Sequence, residues 1–196
     1  MLTKLKQQVQ TCLMSTATLF HNLGLTPNHV SILGIIFAAL AAVAYTQWEF
    51  NRILLMLAPV LMLISGLFDA LDGVIARVYG ETTKFGGFFD SMLDRYADAF
   101  VLGGIIIGGL TNLAWGLVAL MGSLLVSYAR ARAEAAGVKM ESVGFAERAE
   151  RIVLVVGASF VSYFWIDALN WSILILAILT NLTVIQRAIY FHKSLQ

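Results

Sequence analysis

From residue 101 to residue 128 the chain carries no Asp, Glu, Lys or Arg. A run of this kind has few stable homes, because inside a bilayer the backbone polar groups must be satisfied within the element itself, as in a helix. The run is longer than the roughly 20 residues one helix needs to cross the hydrocarbon. Gly108-Gly109-Leu110-Thr111-Asn112, near its middle, is therefore read as a tight hairpin between two spans. The rest of the chain agrees: 59% of its 196 residues are hydrophobic and 13% are charged, too few to cover a water-facing surface. A soluble domain is excluded. The single cysteine, Cys12, rules out an internal disulfide and a thiolate zinc cluster. A net charge of +1 gives no reason to expect a nucleic-acid partner.

The expected architecture is an all-α integral membrane protein of one domain over residues 1–196. Residues 1–23 place Leu2, Leu5, Val9, Leu13 and Phe20 near one helical face, with Lys4, Lys6, Gln7 and Gln10 elsewhere, as in an interfacial amphipathic helix. No long apolar run follows the lysines, which argues against a cleaved signal peptide. Thr26-Pro27-Asn28 reads as a helix start. Six transmembrane helices are then expected within residues 24–196. Their cores are Val30–Tyr45, Ile53 to about Val78, about Lys84 to Gly108, a fourth after the hairpin, Ile152–Ile166 and Ser172–Ile185.

With the N-terminus inside, twelve of the 13 Lys and Arg residues fall at cytoplasmic ends, leaving Arg52 outside. A multi-pass cell-membrane protein with both termini in the cytoplasm is expected.

The charges that do occur are concentrated. Asp69 and Asp72 are three residues apart, Gly73 and Arg77 follow, and Gly86, Asp90 and Asp94 succeed one another in steps of four. Two helices then each present a carboxylate pair across a short connection. Carboxylates at a membrane boundary are expensive to desolvate and call for a cation or a proton pathway. Oxygen-only ligands favour Mg²⁺ or Mn²⁺, and four carboxylates suffice for two ions bridging a diphosphate. The absent side chains of Gly73 and Gly86 admit a phosphate or ribose to the backbone, and Arg77 can offset charge on a leaving phosphate. His21, His29 and His192 are scattered near helix ends and read as interfacial residues.

The pattern Asp-x2-Asp-Gly-x2-Ala-Arg-x8-Gly-x3-Asp-x3-Asp, filled at every fixed position from Asp69 to Asp94, resembles the signature of the CDP-alcohol phosphotransferase family. The resemblance implies transfer of a phosphatidyl-type group from a CDP-linked lipid to an alcohol, with release of CMP. It further implies that Asp69, Asp72 and Asp90 hold metal, and that Asp94 completes the second metal site and acts as general base. Asn28, Ser31, Asp69, Gly73, Ala76, Arg77, Thr83 and Gly86 would meet the CDP-lipid. A homodimer is implied as well. Gly104-Ile-Ile-Ile-Gly108 has the small-xxx-small form that packs helices or a dimer interface.

The acceptor must be read from elsewhere. Tyr128 to Arg151 is rich in basic residues, which a positive-inside bias alone also predicts. Arg148 and Arg151 share a face at the mouth of an apolar segment, where solvation is a less natural role. The run resembles the branch of the family that uses inositol 1-phosphate. That likeness implies an acceptor-phosphate site made of Arg132, Lys139, Arg148, Arg151 and Arg187. Glycerol 3-phosphate or another alcohol is the alternative acceptor. Two other classes are weighed: a cation transporter, and an intramembrane prenyltransferase suggested by Asp90-x3-Asp94-x3-Asp98. Asp98 itself reads as a packing or supporting residue. Whether the lipid tails are ester-linked or ether-linked leaves no trace in a sequence.

Overall fold

The computed structural model describes residues 13–140, 143–145 and 147–195, and these are all-helical. Residues 13–22 form α1, followed by α2 (Pro27–Thr46), α3 (Leu54–Val78), α4 (Lys84–Ile107), α5 (Leu113–Ala135), α6 (Arg148–Ser162) and α7 (Asp167–Ser194). Leu2, Lys4, Leu5, Lys6, Val9 and Cys12 of the expected amphipathic helix lie outside the described residues.

Local chemistry sets the ends that matter for the site. Pro27 occupies the first turn of α2, and the Thr26 amide donates to His29 Nδ1 at 3.3 Å. α3 closes on Gly80 at φ 69°, where the Glu81 amide returns to the Ala76 carbonyl at 2.9 Å. Two residues after Glu81, Thr83 caps α4 by accepting from the Gly86 amide at 2.9 Å. This short cap-to-cap turn reverses the chain and sets the spacing between Arg77 and Gly86. The expected hairpin after α4 has the same construction. Gly109 sits at φ 67°, the Leu110 amide reaches the Ile105 carbonyl, and Asn112 caps α5.

α2 packs against both α3 and α4, α6 against α3 and α7, and α5 against α4 and α7. Gly104 and Gly108 are where α4 meets α2. A Cβ on Gly104 would lie 2.6 Å from Ala42 Cα, and one on Gly108 would strike the Tyr45 carbonyl. Helix packing inside one chain is among the uses expected for this stripe, and these contacts show it. Tyr45, fully buried, bonds Ser159 of α6 at 2.6 Å, and Trp48 Nε1 donates to the Gly108 carbonyl at 2.7 Å.

Among the described residues four helices, α2, α3, α5 and α7, are long and apolar enough to cross a membrane. Their outward faces carry Ile32, Ile36, Leu57, Leu117, Ile175 and Leu182, all exposed. The two further expected segments differ from these four. α4 is long but bears Lys84, Asp90, Asp94, Arg95 and Asp98 in the part that precedes its apolar C-terminal stretch. α6 begins at Arg148, earlier than the expected Ile152, and ends at Ser162 instead of Ile166. Its 15 residues span about 22 Å at 1.5 Å per residue, short of a bilayer's roughly 30 Å core. The early start places Arg148 and Arg151 on the first turn of a helix. α7 is longer than expected at both ends, because Asp167–Asn170 and Gln186–Ser194 continue the helix into polar sequence.

Candidate metal and anion site

Asp69 projects from α3 and Asp90 and Asp94 from α4, and one carboxylate oxygen from each lies within 4.8 Å of the others. All three are partly buried. Asp72, 6% exposed, lines the same small cavity but accepts from Ser31 Oγ of α2 at 2.5 Å. The cavity volume is about 10 Å³ with Arg148 in place. The Arg148 guanidinium forms part of its wall. Arg148 Nη1 stands 2.9 Å from Asp69 Oδ1 and 2.6 Å from Asp94 Oδ1, while Arg95 Nη1 faces Asp94 Oδ2 at 3.5 Å. Three converging carboxylates, two of them bridged by a guanidinium, are the donor set a hard divalent ion takes, so the residues fit the expected Mg²⁺ or Mn²⁺. Asp98 is not one of the three. It pairs with Arg151 Nη2 at 2.9 Å and with Arg148 Nε at 3.5 Å, the supporting position expected for it.

On one side of this cavity opens a cleft of about 420 Å³. Asn28, Ser31, Asp72, Gly73, Ala76, Arg77, Thr83, Gly86 and Asp90 line it, so every CDP-binding candidate except Asp69 faces one space. Gly73 leaves the backbone open beside Arg77, whose Nη1 would sit 3.2 Å from a Cβ there. A Cβ on Gly86 would lie 3.0 Å from Thr83 Oγ1 and 3.5 Å from Asn28 Oδ1. A side chain at either position would crowd the polar groups that line the cleft.

On the other side lies a cavity of about 270 Å³ lined by Asp94, Asp98, Ser127, Arg130, Arg148, Arg151 and Arg187, among others. Arg187, 4% exposed, is locked in place by donating to the carbonyls of Val143 at 2.8 Å and Val126 at 2.5 Å. Arg151, 6% exposed, is fixed by Asp98. The structure thus gathers three of the five expected phosphate-binding residues. Arg132 and Lys139 are exposed and do not line this cavity. Arg130 does, and the sequence reading missed it. Its pairing with Glu134 at 2.8 Å, an i,i+4 contact, is what any surface helix offers, and the only pointer was a helical register that Arg132 shares poorly.

The model of the CDP-alcohol phosphatidyltransferase family matches residues 24–185. Archaetidylinositol phosphate synthase of Pyrococcus horikoshii is 38% identical over 196 residues, covering 100% of this chain and 99% of that protein. The crystal structure of Mycobacterium tuberculosis phosphatidylinositol phosphate synthase with CDP-DAG bound superposes with a TM-score of 0.80 at 31% identity, covering 91% of this chain and 92% of that one. The same synthase in complex with manganese and citrate also matches at a TM-score of 0.80 and 31% identity, over 91% of this chain and 88% of its own.

Proposed function

Since this chain belongs to the CDP-alcohol phosphatidyltransferase family, we propose that it transfers the phosphatidyl-type group of a CDP-linked lipid to inositol 1-phosphate and releases CMP. One observation carries the reading. The cleft lined by Gly73 and Arg77 and the basic cavity lined by Arg130, Arg151 and Arg187 meet at the same carboxylates, sharing Asp72 and Asp90 on one side and Asp94 and Arg148 on the other. A donor and an anionic acceptor held in the two spaces have their reacting groups together at Asp94.

Asp69, Asp72, Asp90 and Asp94 would hold two divalent ions, Mg²⁺ or Mn²⁺, which supply charge neutralisation for the diphosphate and the departing CMP. The rest is done by side chains. Asn28, Ser31, Thr83 and the open backbone at Gly73, Ala76 and Gly86 seat the nucleotide, and Arg77 neutralises its phosphate. Arg148, Arg151 and Arg187, with Arg130, grip the acceptor phosphate and turn one inositol hydroxyl toward Asp94. Asp94 takes that hydroxyl's proton as the oxygen bonds to the lipid-bearing phosphorus, and the bond from that phosphorus to the CMP oxygen breaks.

The setting is that of a single membrane domain. α4 and α6 would complete six crossings around α2, α3, α5 and α7, the short α6 with the help of the turn at residues 163–166, and the charged N-terminal part of α4 would lie at the cytoplasmic boundary. Both termini and both cavities face the cytosol, and the chain works as a homodimer through a surface other than Gly104 and Gly108. The basic residues at the site end of α5, α6 and α7 support this orientation. Purified protein with Mn²⁺ and a CDP-lipid should release CMP with inositol 1-phosphate far faster than with inositol, serine or glycerol 3-phosphate. Preference for glycerol 3-phosphate by orders of magnitude in kcat/KM would overturn the acceptor assignment, and CMP release with none of them would overturn the transferase reading.

A further inference from the structure

We propose that Arg148 and the divalent ion compete for the same carboxylate oxygens, and that an acceptor phosphate, by drawing Arg148 away, promotes metal loading. The inference rests on the reading of Asp69 and Asp94 as metal ligands and of the basic cavity as a phosphate site.

Arg148 differs from the other arginines of that cavity in what holds it. Arg187 is tied to backbone carbonyls and Arg151 to Asp98, neither of which belongs to the converging carboxylates. Arg148 Nη1 instead bridges Asp69 Oδ1 and Asp94 Oδ1, one oxygen from each of two candidate ligands on different helices. The remaining oxygen of Asp94 faces Arg95, so both of its oxygens stand opposite a guanidinium. A divalent ion held about 2.1 Å from these oxygens would lie within about 5 Å of Arg148 Nη1, where like charges repel in a partly desolvated site. The two cations cannot both keep full hold of Asp69 and Asp94.

Arg148 also has somewhere to go. Its side chain lines the carboxylate cavity and the basic cavity at once. Among the described residues its buried Nε makes no hydrogen bond and stands 3.5 Å from Asp98 Oδ1, a looser hold than the contacts at Nη1. A phosphate monoester in the basic cavity presents oxygens matched to the planar fork and close to two negative charges. Moving Arg148 onto that phosphate frees the bridge between α3 and α4 for the metal. Linkage makes the effect reciprocal: if phosphate tightens metal, metal tightens phosphate by the same factor. The enzyme so built holds its metals most firmly when the acceptor is present.

The test is Mn²⁺ binding to the purified full chain, read from the electron paramagnetic resonance of free Mn²⁺, with no turnover involved. Arg148→Gln should tighten Mn²⁺ about tenfold or more, within the range usual for coupled sites. Arg95→Gln, which removes a nearby charge but no bridge, should change it far less. Inositol 1-phosphate should tighten Mn²⁺ binding to the unmodified protein several-fold, inositol should not, and Arg148→Gln should lose the increment. Unchanged or weaker Mn²⁺ binding in Arg148→Gln, an equal shift in Arg95→Gln, or a phosphate increment of the same size in both proteins would each overturn the proposal. If Arg148→Gln does not fold, the phosphate arm decides alone, and no tightening in the unmodified protein overturns it. Absence of Mn²⁺ binding in the unmodified protein would instead overturn the metal reading on which the proposal stands.

Discussion

The two sides of the site are built on different principles. The acidic side comes from adjacent helices joined by a short capped turn, with Asp69 and Asp72 on α3 and Asp90 and Asp94 on α4. The basic side is assembled from three distant segments: Arg130 near the end of α5, Arg148 and Arg151 at the start of α6, and Arg187 in the second half of α7. Where one turn sets the geometry, sequence spacing is geometry. Where tertiary packing sets it, spacing does not say which arginine of several will face inward. The acidic side should therefore be intolerant of any change and the basic side graded, with exposed members nearly silent.

The largest effect belongs to the acidic side. Asp90→Asn keeps the shape but withdraws the charge needed to hold divalent ions around a diphosphate, and should reduce Mn²⁺-dependent CMP release by about a thousandfold or more. Full activity in this variant would erase the contrast between the two sides.

Arg148→Lys comes next and sharpens it. A point charge cannot reproduce the planar fork, so at saturating Mn²⁺ the KM for inositol 1-phosphate should rise by about ten- to a hundredfold while that for the CDP-lipid changes little. Equal weakening of both substrates would show that Arg148 serves the carboxylates alone.

Smaller still, Arg130→Gln should raise the acceptor KM by about tenfold, because Arg130 lines the basic cavity, although it is also paired with Glu134. Arg132→Gln and Lys139→Gln should stay within about twofold, since both residues are exposed and outside that cavity. A reversal, with Arg132 mattering and Arg130 not, would place the acceptor on a different face of α5.

These expectations follow how much of the molecule was legible in its sequence. The apolar run from 101 to 128 announced α4, a hairpin and α5, and Gly108 and Gly109 end α4 there because one packs on Tyr45 and the other takes a positive φ. The residues that the family resemblance implies for the CDP-lipid were legible from the signature, whose Gly73, Arg77 and Gly86 lie on either side of the turn at Gly80, and all of them but Asp69 line one cleft. The start of α6 was not. Apolar content begins at Ile152, yet the helix begins at Arg148, because Arg and Glu extend it at little cost in helix propensity and Arg148 and Arg151 gain ion pairs with α3 and α4. The salt bridge from Arg148 to Asp69 was out of reach of any pattern, since it joins residues that no periodicity relates.

The central claim is that Asp94 is where the two sides meet, activating the acceptor more than holding the donor. The most direct measurement is on Asp94→Asn, comparing CMP release with binding of a nonreactive CDP-lipid analogue in the presence of Mn²⁺. Loss of the base should slow CMP release by about a hundred- to ten-thousandfold. Affinity for the analogue should remain within a few-fold of the unmodified protein. Loss of analogue binding as complete as in Asp69→Asn would contradict the account, making Asp94 a ligand that holds the donor.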